Sequence, residues 1–463
     1  MLKKNLDSNR DGKRACRFWT EPFRTLVCRL TFVALFPVAL VAQTTSPNPP
    51  VSAQAAGAGI QTPLRFEGEP EPANQVSFSL GTSALYDDNV FASNSLRLGD
   101  EALSFDCHLG ITRRTERLTA SFDYMPFFLL YRQIDQYDRA NHAGNLNLTY
   151  RLTSRVILAM HDAISYQNGA YPSLTGEQIM SGPAALTALN QVTIPYTTRV
   201  LSNTTGLDLT FVKSRRTSLT LSGGYNEVKY GRQTVAQPLY NDNALSGGLQ
   251  VQYRATEHTN FGILLLHQDS TYQGGQVFGN RQRSQIESTF LSVGSRLSPT
   301  VTVIAFAGPQ YVRIIGQASA EAGVAGHFHG SGGGSVTKQV RKTALDVSFQ
   351  RTASGSGGLY TLATYTNATL GVRRRLVGHW EADLQGRAAR ADTSLIQHAN
   401  ARTDALTGGI YINRPFSRGS MFHISYNTAH QLSKGTLPIS ADFDRNQVAV
   451  GIDYQFKTFP LGR

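Results

Sequence analysis

The sequence predicts an all-β fold, a transmembrane antiparallel up-and-down β-barrel of 16–18 strands. Three observations carry that prediction. The chain is poor in charge, apolar and polar residues alternate from residue 76 almost to the C-terminus, and the connections between alternating stretches are by turns short and long.

Charged residues make up 16% of the 463, below the share in ordinary soluble proteins, while Gly (42), Phe (23) and Tyr (19) are plentiful. The formal charge of +12 is not a nucleic-acid footprint. Its densest part is the start of the chain (Lys3, Lys4, Arg10, Lys13, Arg14, Arg17, Arg24, Arg29), and the remainder is dispersed rather than gathered on one face. No nucleic-acid partner is expected.

That basic start runs into the apolar stretch Leu30 to Ala42 and then polar Gln43, which reads as a secretion signal over 1–42. The apolar run is too short to span a bilayer; the alternative is an uncleaved inner-membrane anchor. Residues 43–75, rich in Pro, Ala, Gly and Gln, have little to bury and read as a disordered periplasmic leader. Cys16 and Cys28 belong to the signal segment, so Cys107 stands alone beyond it. An internal disulfide and a CxxC metal site are both excluded there.

The barrel is assigned to 76–456, with 457–463 as a C-terminal tail. Leu207, Leu209 and Phe211 alternate with Asp208 and Thr210, and Leu249, Val251 and Tyr253 with Gln250 and Gln252. Val448, Val450, Ile452, Tyr454 and Phe456 close the series. Successive side chains of a strand face opposite ways, so each stretch has one greasy and one wet side. Strands of about ten such residues are the unit of a membrane barrel. Tight connections such as 153–155, 213–218, 254–258 and 415–419 alternate with longer ones such as 87–101, 231–242 and 432–445. Periplasmic turns and outer loops alternate in that manner. Eighteen strands result, or 16 if the Gly-rich stretch 322–337 and its partner do not form. A soluble propeller or solenoid needs a fixed-period repeat, and none is present.

Two motifs point further. Gly451, Tyr454 and Phe456 in the last strand resemble the C-terminal signal by which outer-membrane barrels are recognised for insertion. That resemblance implies the barrel-assembly machinery as a partner. Tyr86-Asp87-Asp88-Asn89-Val90-Phe91 resembles the stretch near the start of a family of bacterial barrel porins, some of them associated with exopolysaccharide production and export. The resemblance implies a pore-like barrel in the outer membrane of a Gram-negative bacterium, with no catalytic residue. Physically, two acids and an Asn at a loop would accept cations or sugar hydroxyls, or simply be solvated.

Other matches carry no chemistry. Gly330–Ser335 (GSGGGS) lacks the Lys of a phosphate loop, His327 and His329 lack a third ligand, and no G-x-S-x-G elbow occurs. No enzyme activity, cofactor or metal is therefore expected. The tight turns are basic (Arg113, Arg114, Arg117, Arg155, Arg215, Arg216, Arg374, Arg418), suiting either solubility or inner-leaflet phosphates.

The wet face supplies the candidate pore lining: Asp106, His108, Asp123, Arg151, Asp208, Gln250, Arg254, Arg373, Glu381, Asp383, Arg387 and Asp453. A mixed lining suits polar, weakly charged solutes such as saccharides. The expected function is a passive, porin-like channel. The alternative is a non-conducting structural or accessory barrel in exopolysaccharide export or assembly. Expected surroundings are outer-membrane lipids and lipopolysaccharide, with oligomerisation left open. The longest connection, 168–199, is unusually apolar and is expected either to fold into the lumen or to pack outside it.

Overall fold

The structure, a computed structural model, describes residues 74–461 apart from 96, 136–137, 169–198, 232–238, 275–280, 316–325, 355–361, 394–400 and 435–441. The signal segment, all but the end of the leader, and nearly all of the 168–199 connection lie outside the described residues.

The first six strands are β1 (Gln75–Asp87), β2 (Asp100–Arg114), β3 (Leu118–Tyr131), β4 (Arg139–Arg151), β5 (Val156–Asn168) and β6 (Arg199–Val212). Then follow β7 (Thr217–Tyr230), β8 (Tyr240–Arg254), β9 (Thr259–Gly274), β10 (Arg281–Ser298), β11 (Val301–Ile315) and β12 (Gly326–Val340). The last are β13 (Thr343–Ser354), β14 (Ala363–Arg375), β15 (Glu381–Asp392), β16 (Arg402–Ser417), β17 (Ser420–Lys434), β18 (Phe443–Gln455) and the two-residue β19 (Phe459–Pro460). Each long strand pairs antiparallel with its neighbours in sequence, and β18 pairs with β1, closing the sheet into an 18-stranded up-and-down barrel.

The tail, 457–463, adds to the sheet. At its start β1 extends past the end of β18, the first β1–β18 pair being Ser79↔Gln455. The chain continues along β1 in the same direction, so that Phe459 pairs with Val76 and Pro460 with Gln75, covering the edge left open there.

Alternation now acquires sides. Leu207, Leu209, Phe211, Leu221, Leu249, Val251, Phe261, Ile263 and Leu265 all stand exposed on the outer wall. Their neighbours along each strand face the interior. Phe78, Tyr454 and Phe456 form an aromatic cluster at the short-turn end, with Trp380 under the Arg414 guanidinium further round. Such girdles mark the edges of an apolar band in membrane barrels. Toward the long loops the outer wall becomes charged, with cross-strand pairs Arg283–Asp269, Arg390–Asp404 and His430–Asp444.

The short turns are fixed by hydroxyls that accept from backbone N–H groups at their far side. Thr153 Oγ1 accepts from Arg155 and Val156 N, and Ser214 Oγ from Arg216 and Thr217 N. Thr256 and Ser298 do the same for His258 and Thr300. These are local turn-forming bonds that Ser and Thr favour. The two-residue turn Arg418–Gly419 needs Gly for another reason: its φ is 90°, which side chains rarely tolerate.

Two prolines interrupt the ladder. The β10–β11 register passes from Ser288↔Gln310 to Leu291↔Ala307, skipping Pro309. Likewise β2–β3 passes from Asp106↔Phe127 to Leu109↔Tyr124, skipping Pro126. Proline has no N–H to donate, so the sheet loosens at both places.

Candidate functional site

The candidate site is the inner wall. The register places all twelve candidate residues on the face opposite the exposed apolar one, because each differs in parity from the exposed Leu, Val, Ile or aromatic residues of its own strand.

Several come together. Asp106 and Asp453 flank Gly81 from either side, Gly81 pairing with both. A Cβ on Gly81 would lie 2.4 Å from the carboxylate oxygens of Asp106, so this acid leans over the glycine. Asp453 Oδ2 lies 2.8 Å from His423 Nδ1 and accepts from the Tyr411 hydroxyl at 3.3 Å, while the Tyr411 and His423 rings stack at 5.3 Å. His108 Nε2 is 3.0 Å from Asp123 Oδ1. On β14 and β15, Arg373 pairs with Glu381 and has Asp383 at 3.9 Å, and Arg387 donates to Asn367 Oδ1 at 3.1 Å. The remaining four are dispersed. Arg151 and Arg254 end β4 and β8 at the short-turn rim. Asp208 lies on β6 and Gln250 on β8 between Thr220 and Leu264. Among the described residues no group of three or more His, Cys, Asp or Glu side chains could hold a metal ion.

The acidic first-loop motif does something other than meet solvent or ligands. Asp87 is 0% exposed and faces Arg445, itself 3% exposed, which donates Nε to both carboxylate oxygens at 3.0 and 3.1 Å. Asp87 also accepts from Gln447 Nε2 at 3.1 Å, Tyr131 hydroxyl at 3.3 Å and Asn89 N at 3.1 Å. Asp88 accepts from Asn446 N at 2.7 Å and Nδ2 at 2.9 Å and pairs with Arg97. Asn89 donates to the Asp444 carbonyl at 2.8 Å. Val90 packs with Leu85, Phe127, Leu129, Tyr131 and Ile134. Asp87 and Asn89 are thus spent within the fold, tying the first strand to the last, and neither is open to a cation or sugar.

Sequence reasoning missed His423, Tyr411 and Arg445. The alternation itself could have found His423, which lies between Phe422 and Ile424 of the outer wall, and Arg445 lies in phase with Gln447.

No protein-family model and no curated protein sequence matches the chain. Among solved structures it is similar to OccAB4 of Acinetobacter baumannii, at 9% identity and a TM-score of 0.41, over 84% of this chain and 100% of that one. OccK11 (OpdR) of Pseudomonas aeruginosa matches at 14% identity and a TM-score of 0.39, over 83% and 96%. The FrpB iron transporter of Neisseria meningitidis matches at 8% identity and a TM-score of 0.42, over 82% and 81%.

A closed, even-stranded up-and-down barrel with a greasy outside and a polar inside is a transmembrane barrel of the outer-membrane type. The protein is such a barrel.

Proposed function

We propose that the protein is a passive channel for small polar solutes, saccharides among them. The observation that carries this reading is the closure of 18 strands around a polar, mixed-charge inner wall. Barrels of that size enclose a lumen wider than their own wall side chains fill. Asn147, Ser246, Gln268 and Asn367 join acids and bases on the wall, so a sugar would meet many weak hydrogen-bonding partners and no single strong one. Conduction needs sites that hold a solute weakly enough to release it. The reading includes no catalysis. Its partners are the surrounding lipids, lipopolysaccharide included, and during assembly the barrel-insertion machinery acting on Gly451–Phe456. Export is directed by the signal segment 1–42, which is removed so that the mature chain starts near Gln43.

Reconstitution tests it. Discrete conductance steps in planar bilayers, with liposome swelling that falls as the sugar grows, are the expected results. Folded protein that gives neither conductance nor swelling would overturn the channel and favour the accessory-barrel reading.

A further inference from the structure

The outer wall carries a groove of about 620 Å³ across β7–β12. Leu221, Gly247, Leu249 and Leu265 lie along it on β7–β9, and Thr289 and Pro309 on β10 and β11. Its origin lies in the sequence. Pro309 interrupts the β10–β11 ladder opposite Thr289, and Gly247 has nothing within 4 Å of where a Cβ would stand. The interior side of the same place is sealed, since Phe290 is fully buried and packs edge-on against Phe306 at 5.5 Å. The groove therefore opens to the membrane and not to the lumen.

The groove has two unlike ends. Toward the short turns its walls are Leu221, Leu249 and Leu265. Toward the long loops it meets the His267–Glu287 pair at 2.5 Å and the Tyr311–Phe328 aromatic pair at 5.0 Å. One outward position further along the strands stand Asp269, bound by Arg283, and exposed Arg313. Short turns are periplasmic in such barrels, so the charged end faces the outer leaflet.

We propose that this groove is a binding site for one lipid A moiety of lipopolysaccharide, an acyl chain lying along the Leu-lined part and a phosphate meeting Arg313 and Arg283. Guanidinium is suited to phosphate by its planar fork of donors. A phospholipid of the inner leaflet would hold its head group toward the short turns, away from Arg313 and Arg283. The polarity of the groove thus selects the leaflet, and exposed Arg313, near Arg283 which Asp269 holds in place, selects a phosphorylated lipid. The proposal rests on the membrane placement of the barrel and is independent of whether it conducts.

The test counts lipid A per barrel after mild-detergent extraction from outer membranes. Native mass spectrometry of delipidated protein then follows, titrated with bisphosphoryl lipid A, dephosphorylated lipid A or phosphatidylethanolamine. Gly247→Phe fills the groove and should lower lipid A retention roughly tenfold, with heat-modifiable migration and conductance unchanged. Gly386→Phe is the matched control: Gly386 also has nothing within 4 Å of its Cβ position, and it lies on β15, away from the groove. That control should retain lipid A as the wild type does. Arg313→Ala should narrow the preference for the bisphosphoryl form, and it decides the matter if Gly247→Phe does not fold. Unchanged retention in folded Gly247→Phe, or equal binding of phosphatidylethanolamine, would overturn the proposal. So would a change of oligomer mass without loss of lipid, which would assign the groove to a second copy of the chain.

Discussion

The seam where β18 meets β1 and the wall formed by β9–β12 solve the same geometric problem with opposite materials. At the seam the inner wall is held by buried charge, Asp87 of β1 with Arg445 of β18, and beside it Asp453 of β18 meets His423 of β17. In the β9–β12 wall the inner side is held by Phe290, Tyr272, Ile286 and Val312, all buried, and the ion pairs lie outside, as Arg283–Asp269 and His267–Glu287. Neighbouring strands of the second wall come from consecutive parts of the chain, so a short turn or loop joins them and limits the register. The seam joins Asp87 to Arg445, 358 residues apart, and no turn can fix its register. A one-residue slip there would exchange every inward and outward side chain. Buried, directional charge adds to the penalty that the two unlike faces already place on such a slip.

The largest expected effect breaks this comparison if it fails. Arg445→Ala leaves the carboxylate of Asp87 buried without its cation and should cost about 3–5 kcal/mol. Arg283→Ala removes an equally well-formed pair on the outer wall, where both partners are partly exposed, and should leave stability close to wild type. Urea unfolding from lipid vesicles, followed by heat-modifiable migration, measures both. Equal losses would mean that the seam is not special. Asp87→Ala with Arg445→Ala should recover part of the loss, since neither charge is then stranded.

The next effect tests the two faces themselves. Leu221→Arg puts a guanidinium on the apolar band and should cost about 2–4 kcal/mol if the position is near the bilayer midplane. Cysteines introduced at Leu209, Leu221 or Val251 should react with lipid-soluble probes, and those at Asp208, Thr220 or Gln250 with water-soluble ones. The opposite labelling would turn the barrel inside out.

Much of this was legible in the sequence because side-chain alternation is a local property. Strand number, the short-turn positions and the two walls follow from neighbours two residues apart, and the Gly-rich 322–337 proved to hold β12, Gly326–Val340. The motif at Tyr86–Phe91 was not legible, because its partners Asp444, Arg445, Asn446 and Gln447 lie at the other end of the chain. Two acids and an Asn in a loop look solvated until their long-range partners are known. Clustering of the lining had the same limit: alternation puts Asp106 and Asp453 on the inner face, but only barrel closure brings them to either side of Gly81. The fate of 168–199 lies outside the described residues.

The charge distribution along the lining gives a smaller effect that sharpens the contrast between arcs of the inner wall. Arg373 and Arg387 lie on β14 and β15, and Asp106, Asp123 and Asp453 on β2, β3 and β18. If solutes pass along both arcs, Arg387→Ala should move the reversal potential in a KCl gradient toward greater cation preference. Asp123→Asn should move it toward anions. Shifts of the same sign, or none from either variant, would mean that the current does not run past these side chains.

The smallest expected effect concerns the turns that set register in hairpins, the device the seam lacks. Ser214 Oγ accepts from Arg216 N in the turn and Thr217 N at the start of β7, both at 3.1 Å, and these donors face water if the hydroxyl is removed. An exposed donor can bond to water instead, so Ser214→Ala should cost only about 0.5–1 kcal/mol, the net worth of an ordinary hydrogen bond. Thr153→Ala and Thr256→Ala should behave alike, because each removes the same acceptor from an equivalent turn. The register should survive in all three, since the apolar face of β6 and β7 specifies it independently: Leu209 pairs with Leu221 and Phe211 with Leu219. Cysteine labelling at Leu221 in the Ser214→Ala background reads this directly. Retained lipid-side labelling with a small loss of stability is the expected result. A switch to water-side labelling would show that the hydroxyl, and not the greasy face, holds the hairpin in place.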